Sequence, residues 1–128
     1  MRSSLSFLKI LSLVVICPSY WCFEDAGVGL KHDANAEIKL VKALCITRAF
    51  ENEIILVYAN AAGSENGTAA PEHLIRRSQI TVPFKGALTL LDHNKETMFL
   101  QEVDTSILHD AEQAYEIRND LKTRVVFR

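Results

Sequence analysis

The stretch Arg48-Ala49-Phe50-Glu51-Asn52-Glu53-Ile54-Ile55-Leu56-Val57-Tyr58-Ala59-Asn60-Ala61-Ala62-Gly63 decides how the rest of the chain is read. Its first five residues read as the end of a packed helix. Residues 54–60 are a short, continuously apolar run of the kind that forms a buried strand, and Ala61-Ala62-Gly63 is a small-residue turn. Upstream, Asp33 can cap a helix over 34–52, in which Ile38, Val41, Cys45 and Ala49 share one face with Leu40, Leu44 and Phe50 beside it. A stripe that broad predicts cover on more than one side, by a sheet and by another subunit.

Outward from this core, residues 11–17 (Leu-Ser-Leu-Val-Val-Ile-Cys) form a β-branched apolar run ending at Pro18, the pattern of a strand covered on both faces. Residues 24–33 read as loop, as do the Gly-, Asn- and Pro-bearing residues 61–73. Residues 78–83 predict a third strand. Residues 87–92 and 97–103 flank His93-Asn94-Lys95-Glu96 and predict a hairpin. A final helix is expected over 106–121, capped by Thr105, with Ile107, Leu108, Ala111, Ala114, Tyr115 and Arg118 on one face. The apolar tail 124–128 needs a partner surface. This order predicts an α/β fold, a mixed sheet with helices on one face and a second sheet hiding the other.

Composition sets the outer limits. The chain has 128 residues, 48% hydrophobic and 23% charged, with a net charge of −2, which describes one globular domain. A near-zero, well-mixed charge argues against nucleic acid and against an anionic membrane surface as partners. Three cysteines, Cys17, Cys22 and Cys45, are an odd number and favour reduced thiols in a cytoplasmic setting. The N-terminus carries a rival reading. Arg2 and the apolar run to Cys17 look like a secretory signal, and Asn66-Gly67-Thr68 is a glycosylation sequon that would then matter. Lys9 splits that run, bulky Pro18-Ser19-Tyr20-Trp21 stands where a cleavage site would, and the run is too short to span a bilayer. Residues 1–10 therefore stand apart as an atypical segment, and 11–128 as the domain.

The same residues, taken in order, resemble the carbon–nitrogen hydrolase (nitrilase) superfamily. Val15 to Trp21 resembles the strand and loop after that family's nucleophile elbow, and Arg48-Ala49 with Glu51-Asn52 its Arg-Ala-x-Glu-Asn helix. Asn60-Ala61-Ala62-Gly63 is similar to its strand-end turn, Ser78-Gln79-Ile80 with Pro83 and Gly86 to its Ser-x-Ile…Pro…Gly segment, and Val103-Asp104 to its last helix start. The resemblance covers about residues 13 to 122. It departs at Arg76, which stands where the family has glycine.

The resemblance implies the C-terminal half of a nitrilase-like α-β-β-α sandwich, whose intact members hydrolyse nitriles or amides with a Glu–Lys–Cys triad and no cofactor. The Glu and Lys belong to the preceding half, and no cysteine stands at the elbow position, so no triad residue carries over. Cys22, followed by Phe23-Glu24, mimics an elbow but lies too close to Arg48 for the helix and strand the family places between. In an intact homologue Pro18, Tyr20 and Trp21 would line the pocket for a small nitrile or amide substrate. Arg48, Glu51, Asn52, Asn60, Gly63, Ser78, Pro83 and Asp104 are the structural motif residues.

Plainer readings stand beside these. Arg48 and Glu51 have the spacing of an i,i+3 ion pair, and Glu51 and Glu53 have no neighbouring nucleophile to serve as bases. Cys17 and Cys45 read as core thiols. His32, His73, His93 and His109 lack metal-ligand spacing. The expected function is a hydrolase fragment without activity of its own. The alternatives are a non-catalytic dimerisation module pairing through 34–52, with no nucleic-acid or membrane partner, and a small secreted protein.

Overall fold

The computed structural model describes residues 13–63 and 73–123. It is an α/β arrangement: strand β1 (Val14–Ser19), a 3-10 segment (Phe23–Lys31), helix α1 (Ala36–Asn52), β2 (Ile55–Asn60), β3 (Gln79–Val82), β4 (Gly86–Leu90), α2 (Ser106–Tyr115) and α3 (Ile117–Thr123). The strands form one sheet in the order β1-β2-β3-β4. β1 and β2 are parallel and joined by α1, as a parallel pair requires; β2–β3 and β3–β4 are antiparallel. Residues 1–10, the sequon and the 124–128 tail lie outside the described residues.

Helix α1 forms because Glu37, Val41, Cys45 and Ala49 recur every four residues and bury one stripe. That stripe meets Leu56 and Tyr58, which alternate on one face of β2, together with Ile54 and Ile75. Opposite them on β3 lie Gln79 and Thr81, both buried. Their polar atoms satisfy one another: Thr81 Oγ1 donates to Gln79 Oε1 at 3.0 Å, and Gln79 Nε2 to Arg77 O at 3.0 Å. Asn35, not Asp33, occupies the cap position of α1. Asp33 still ties the helix start, because its Oδ1 accepts the Asn35 N–H at 2.8 Å and its other oxygen pairs with Lys39.

The other sheet face is not free of helices, contrary to the sequence expectation. Ile55 and Val82 pack with Leu108 of α2, rimmed by Val57, Ile80, Leu88 and Ile107. Leu108 and Ala111, three apart on one side of α2, bury there because Ile55 and Val82 point opposite to Leu56 and Thr81. No described helix is long and apolar enough to cross a membrane.

Four further expectations are corrected. The hairpin joins β3 to β4 through Pro83-Phe84-Lys85, not 87–92 to 97–103 through His93–Glu96. Phe84 (φ 67°) and Gly86 (φ 70°) turn the chain, and Lys85 N donates to Pro83 O at 2.8 Å. Asn94 is occupied elsewhere: its carbonyl accepts the Gly63 N–H and its Nδ2 donates to Leu74 O, both at 2.9 Å. Residues 97–103 leave the sheet, and Met98 and Leu100 are exposed. The last helix breaks at Glu116 (φ 52°). Buried Glu53 causes the restart, because its Oε1 accepts the N–H groups of Ile117 (3.1 Å) and Arg118 (3.4 Å) and so caps α3 from another part of the chain. The 24–33 loop contains the 3-10 segment.

β1 runs 14–19 rather than 11–17 and is not covered on both faces: Val14, Val15, Ile16 and Cys17 are all exposed. Pro18 sits inside the strand rather than ending it. Leu13 and Ser19 carbonyls accept from Ile55 and Ala61 of the β2 side at 2.9 Å. Polar groups alternate along a strand, so Val14, Ile16 and Pro18 turn theirs to the outer edge. A missing N–H costs nothing there.

Candidate functional site

In open α/β sheets the carboxyl ends of parallel strands are where sites are built. Here those ends are Ser19 of β1 and Asn60 of β2. Asn60 is the hub. Its Oδ1 accepts the Trp21 N–H at 2.8 Å, its Nδ2 donates to Trp21 O at 3.1 Å, and its own N–H donates to Ser78 Oγ at 2.9 Å. Trp21 O also accepts the Ile75 N–H at 3.0 Å. Indole Nε1 donates to Glu37 Oε2 at 2.5 Å, which seats the ring over the start of α1. Three motif residues far apart in sequence, Trp21, Asn60 and Ser78, thus close on one point.

The other expected residues are elsewhere. Pro18 lies on the open edge of β1, and Tyr20 is 64% exposed; neither joins the hub. Gly63 is buried and tied to Asn94. Arg48 Nη1 and Glu51 Oε1 form a 2.6 Å ion pair on the outside of α1, and Asn52 Nδ2 donates to Arg48 O. Such an exposed pair contributes only a few tenths of a kcal/mol, about 0.3–0.5. Pro83 is buried at the hairpin. Asp104 Oδ1 accepts the Ser106 N–H at 3.0 Å and so starts α2; that bond holds its carboxyl below the usual range. Arg76, the departure from the family pattern, has φ 53° and its neighbour Arg77 φ 85°, a conformation that glycine adopts without strain.

Reading by motif missed Glu37 and Asn94, which organise the site, and Glu53, which caps α3 at the opposite end of β2. Glu37 lies in the same i,i+4 stripe as Val41, a signal legible in the spacing. Glu53 and Asn94 act only through tertiary contacts and left no local trace.

Cys22 is not prepared as a nucleophile. Burial, then the neighbouring Asp25 and Glu24 carboxylates, push its thiol pKa up, whereas catalytic cysteines have theirs lowered by cations or helix N-termini. Its backbone N–H donates to Asp25 Oδ2 at 2.9 Å, so this corner is structural. Cys17 is exposed rather than core, since β1 is an edge strand; Cys45 is buried as expected. No group of three or more potential metal ligands is present among the described residues. His73 is engaged with Glu24, and that contact holds the Glu24 carboxyl low.

The buried thiol makes stability pH-dependent. Burial pushes Cys45 from 9.0 up to about 11. Below pH 9 it is protonated in both states and its contribution is complete. Above that the unfolded chain ionises first, so stability falls as pH rises toward 11. Thermal melts across this interval are expected to show falling Tm, with a shallower decline in Cys45→Val. A flat wild-type profile would contradict the burial.

No family model matches this chain, and no curated protein is significantly similar to it.

Proposed function

We propose that this chain is the C-terminal part of a carbon–nitrogen hydrolase-type sandwich that serves a structural role and is not itself a catalyst. The observation that carries this reading is Asn60 joining Trp21 and Ser78. Residues 39 and 18 positions away, each singled out by the ordered motif resemblance, meet at the strand end where an intact homologue would have its pocket. The strand–helix–strand unit followed by an antiparallel hairpin supports it too. The nitrile or amide substrate belongs to the intact sandwich, and no cofactor is required. The unpaired thiols support a reducing cytoplasmic setting.

The test is to sequence the transcript upstream of the Met1 codon and to assay the chain alone for ammonia release from short nitriles and amides. The expected result is an in-frame Glu, Lys and Cys-aromatic-acid elbow upstream, with no turnover by the isolated chain. A message that starts at Met1 would remove the hydrolase reading.

A second reading, a non-catalytic association module, rests on one specific observation: β1 is an exposed apolar edge strand. Pairing through 34–52 would have to use Leu40 and Ile46, which stay exposed while Val41, Cys45 and Ala49 are buried at home.

One expected outcome tests the hub itself. Asn60→Ala removes the two side-chain hydrogen bonds to Trp21 N–H and O, while the backbone bond from Asn60 N–H to Ser78 Oγ survives, for a loss of about 1–3 kcal/mol in urea unfolding. A loss below the error of the measurement would mean the hub does not hold the two strand ends together.

A further inference from the structure

β1 is the one strand of the sheet with no residue in either apolar cluster, whether buried there or packed against it. Yet Val14-Val15-Ile16 is wholly apolar and β-branched, with side chains 43%, 41% and 67% exposed. On the outer edge the N–H and C=O groups of Val14 and Ile16 face away from β2, and among the described residues nothing bonds to them. Pro18, the next residue turned outward, offers a carbonyl and no N–H. The free ladder is therefore Val14 to Ile16, with Val15 at its centre. It carries no charge, so two copies meet there without repulsion. Its donors and acceptors also read the same in both directions, which makes the edge its own complement when one copy is turned end for end.

We propose that β1 pairs antiparallel with β1 of a second copy about a two-fold axis through Val15, so that the two four-stranded sheets run on as one. This rests on the association reading and not on the hydrolase one. Strand alternation leaves few registers, because only Val14, Ile16 and Pro18 turn their polar groups to the edge. With Val15 on the axis, Val14 exchanges both its bonds with Ile16 of the second copy, and Ile16 both of its with Val14. Moving the axis to Ile16 sets Val14 against Pro18 of the second copy, which returns no hydrogen bond and presses its ring on the Val14 carbonyl. Moving it to Val14 leaves Ile16 opposite residue 12, outside β1. Pro18 thus selects the register as well as ending the ladder. The cross-strand neighbours become Val14 with Ile16 and Val15 with itself, β-branched side chains that pack well on a pleated surface. The axis stands perpendicular to the sheet, so both α1 helices lie on one face and both α2 helices on the other. A strand from another protein satisfies one such edge; a second copy satisfies two in a single contact.

Disulfide mapping on the full chain tests the register, and light scattering the association. Cys17→Ser first removes the exposed native thiol. In that background Val15→Cys and Ile16→Cys are compared; both positions lie outside the core, so both variants should keep the wild-type circular dichroism. Residues directly opposite on antiparallel strands hold their Cβ atoms about 4.5–5.5 Å apart, within reach of a disulfide, whereas diagonal neighbours lie about 7–8 Å apart. With Val15 on the axis, each Ile16 meets its counterpart only diagonally. The expected result is a wild type at twice the mass of one chain in light scattering. Under mild oxidation the Val15→Cys variant doubles its mass on a non-reducing gel, with the two introduced thiols joined to each other, and the Ile16→Cys variant does not. The register is overturned if Ile16→Cys crosslinks as well as Val15→Cys or better. If neither crosslinks although wild type is a dimer, the β1 pairing is overturned while the association reading stands on another surface. A wild type that stays monomeric at every concentration overturns both.

Discussion

Replacing Ile75 by alanine is expected to lower stability by about 2–5 kcal/mol, the range for deleting a large aliphatic side chain from a rigid core. Ile75 is fully buried, and it precedes β3 in a segment with no regular structure. It packs in the cluster formed by Val41, Cys45 and Ala49 of α1 with Ile54, Leu56 and Tyr58. Truncation removes apolar contact with the helix and the sheet together, and neither can move in, because α1 is fixed by its own stripe and β2 is bonded on both sides. The backbone bond from Ile75 N to Trp21 O survives in the variant, so the measured loss reports packing. For a domain whose whole stability is of order 5–15 kcal/mol, a loss of this size is a large fraction of the total. Ile16→Ala is the control: Ile16 is 67% exposed and should change stability by no more than about 0.5 kcal/mol. Urea unfolding followed by circular dichroism measures both. Equal effects would show that the two isoleucines are not in the environments described.

That contrast also shows what the sequence could and could not disclose. The runs 13–17 and 54–58 are both continuously apolar and look alike in the sequence. Periodicity identifies a run that wants burial, and it cannot say whether the surrounding chain supplies the cover. For β2 the cover is local, α1 two residues upstream, and helix and strand were both legible to within a residue or two. For β1 the outer neighbour would have to come from distant sequence, and the run gave no warning of exposure. The hairpin was misplaced for a related reason. His93-Asn94-Lys95-Glu96 is polar enough to turn, but the turn that forms uses Phe84 and Gly86 at positive φ, and Asn94 is taken up by Gly63 and Leu74. The break in the last helix depends on Glu53, more than sixty residues earlier, and no local pattern encodes it. At the site, Trp21, Asn60 and Ser78 were each recognisable as motif residues. Their meeting was not, because hydrogen bonds across that separation are set by topology.

Substituting Val14 and Ile16 together by lysine is expected to convert an associating chain into a monomer. Val14, Ile16 and Pro18 turn their backbone polar groups to the outer edge of β1, and among the described residues no strand pairs with that edge. Natural edge strands are blunted by charges, bulges or proline. β1 has no charge in Val-Val-Ile-Cys-Pro-Ser and no bulge in its pairing with β2. Pro18 protects only the last position, which leaves two residues with both donor and acceptor free, and side chains 43% and 67% exposed beside them. An edge of that kind pairs with a second copy or aggregates. Two lysines place like charges at every edge-to-edge register without touching the core, since neither side chain is buried. The expected measurement is size-exclusion chromatography with light scattering: wild type as dimer or larger, the double variant as monomer, with superimposable circular dichroism. A variant that still associates would acquit the edge and direct attention to α1, where Leu40→Glu with Ile46→Glu is the corresponding test. A monomeric wild type would argue against both surfaces, and with them the association reading.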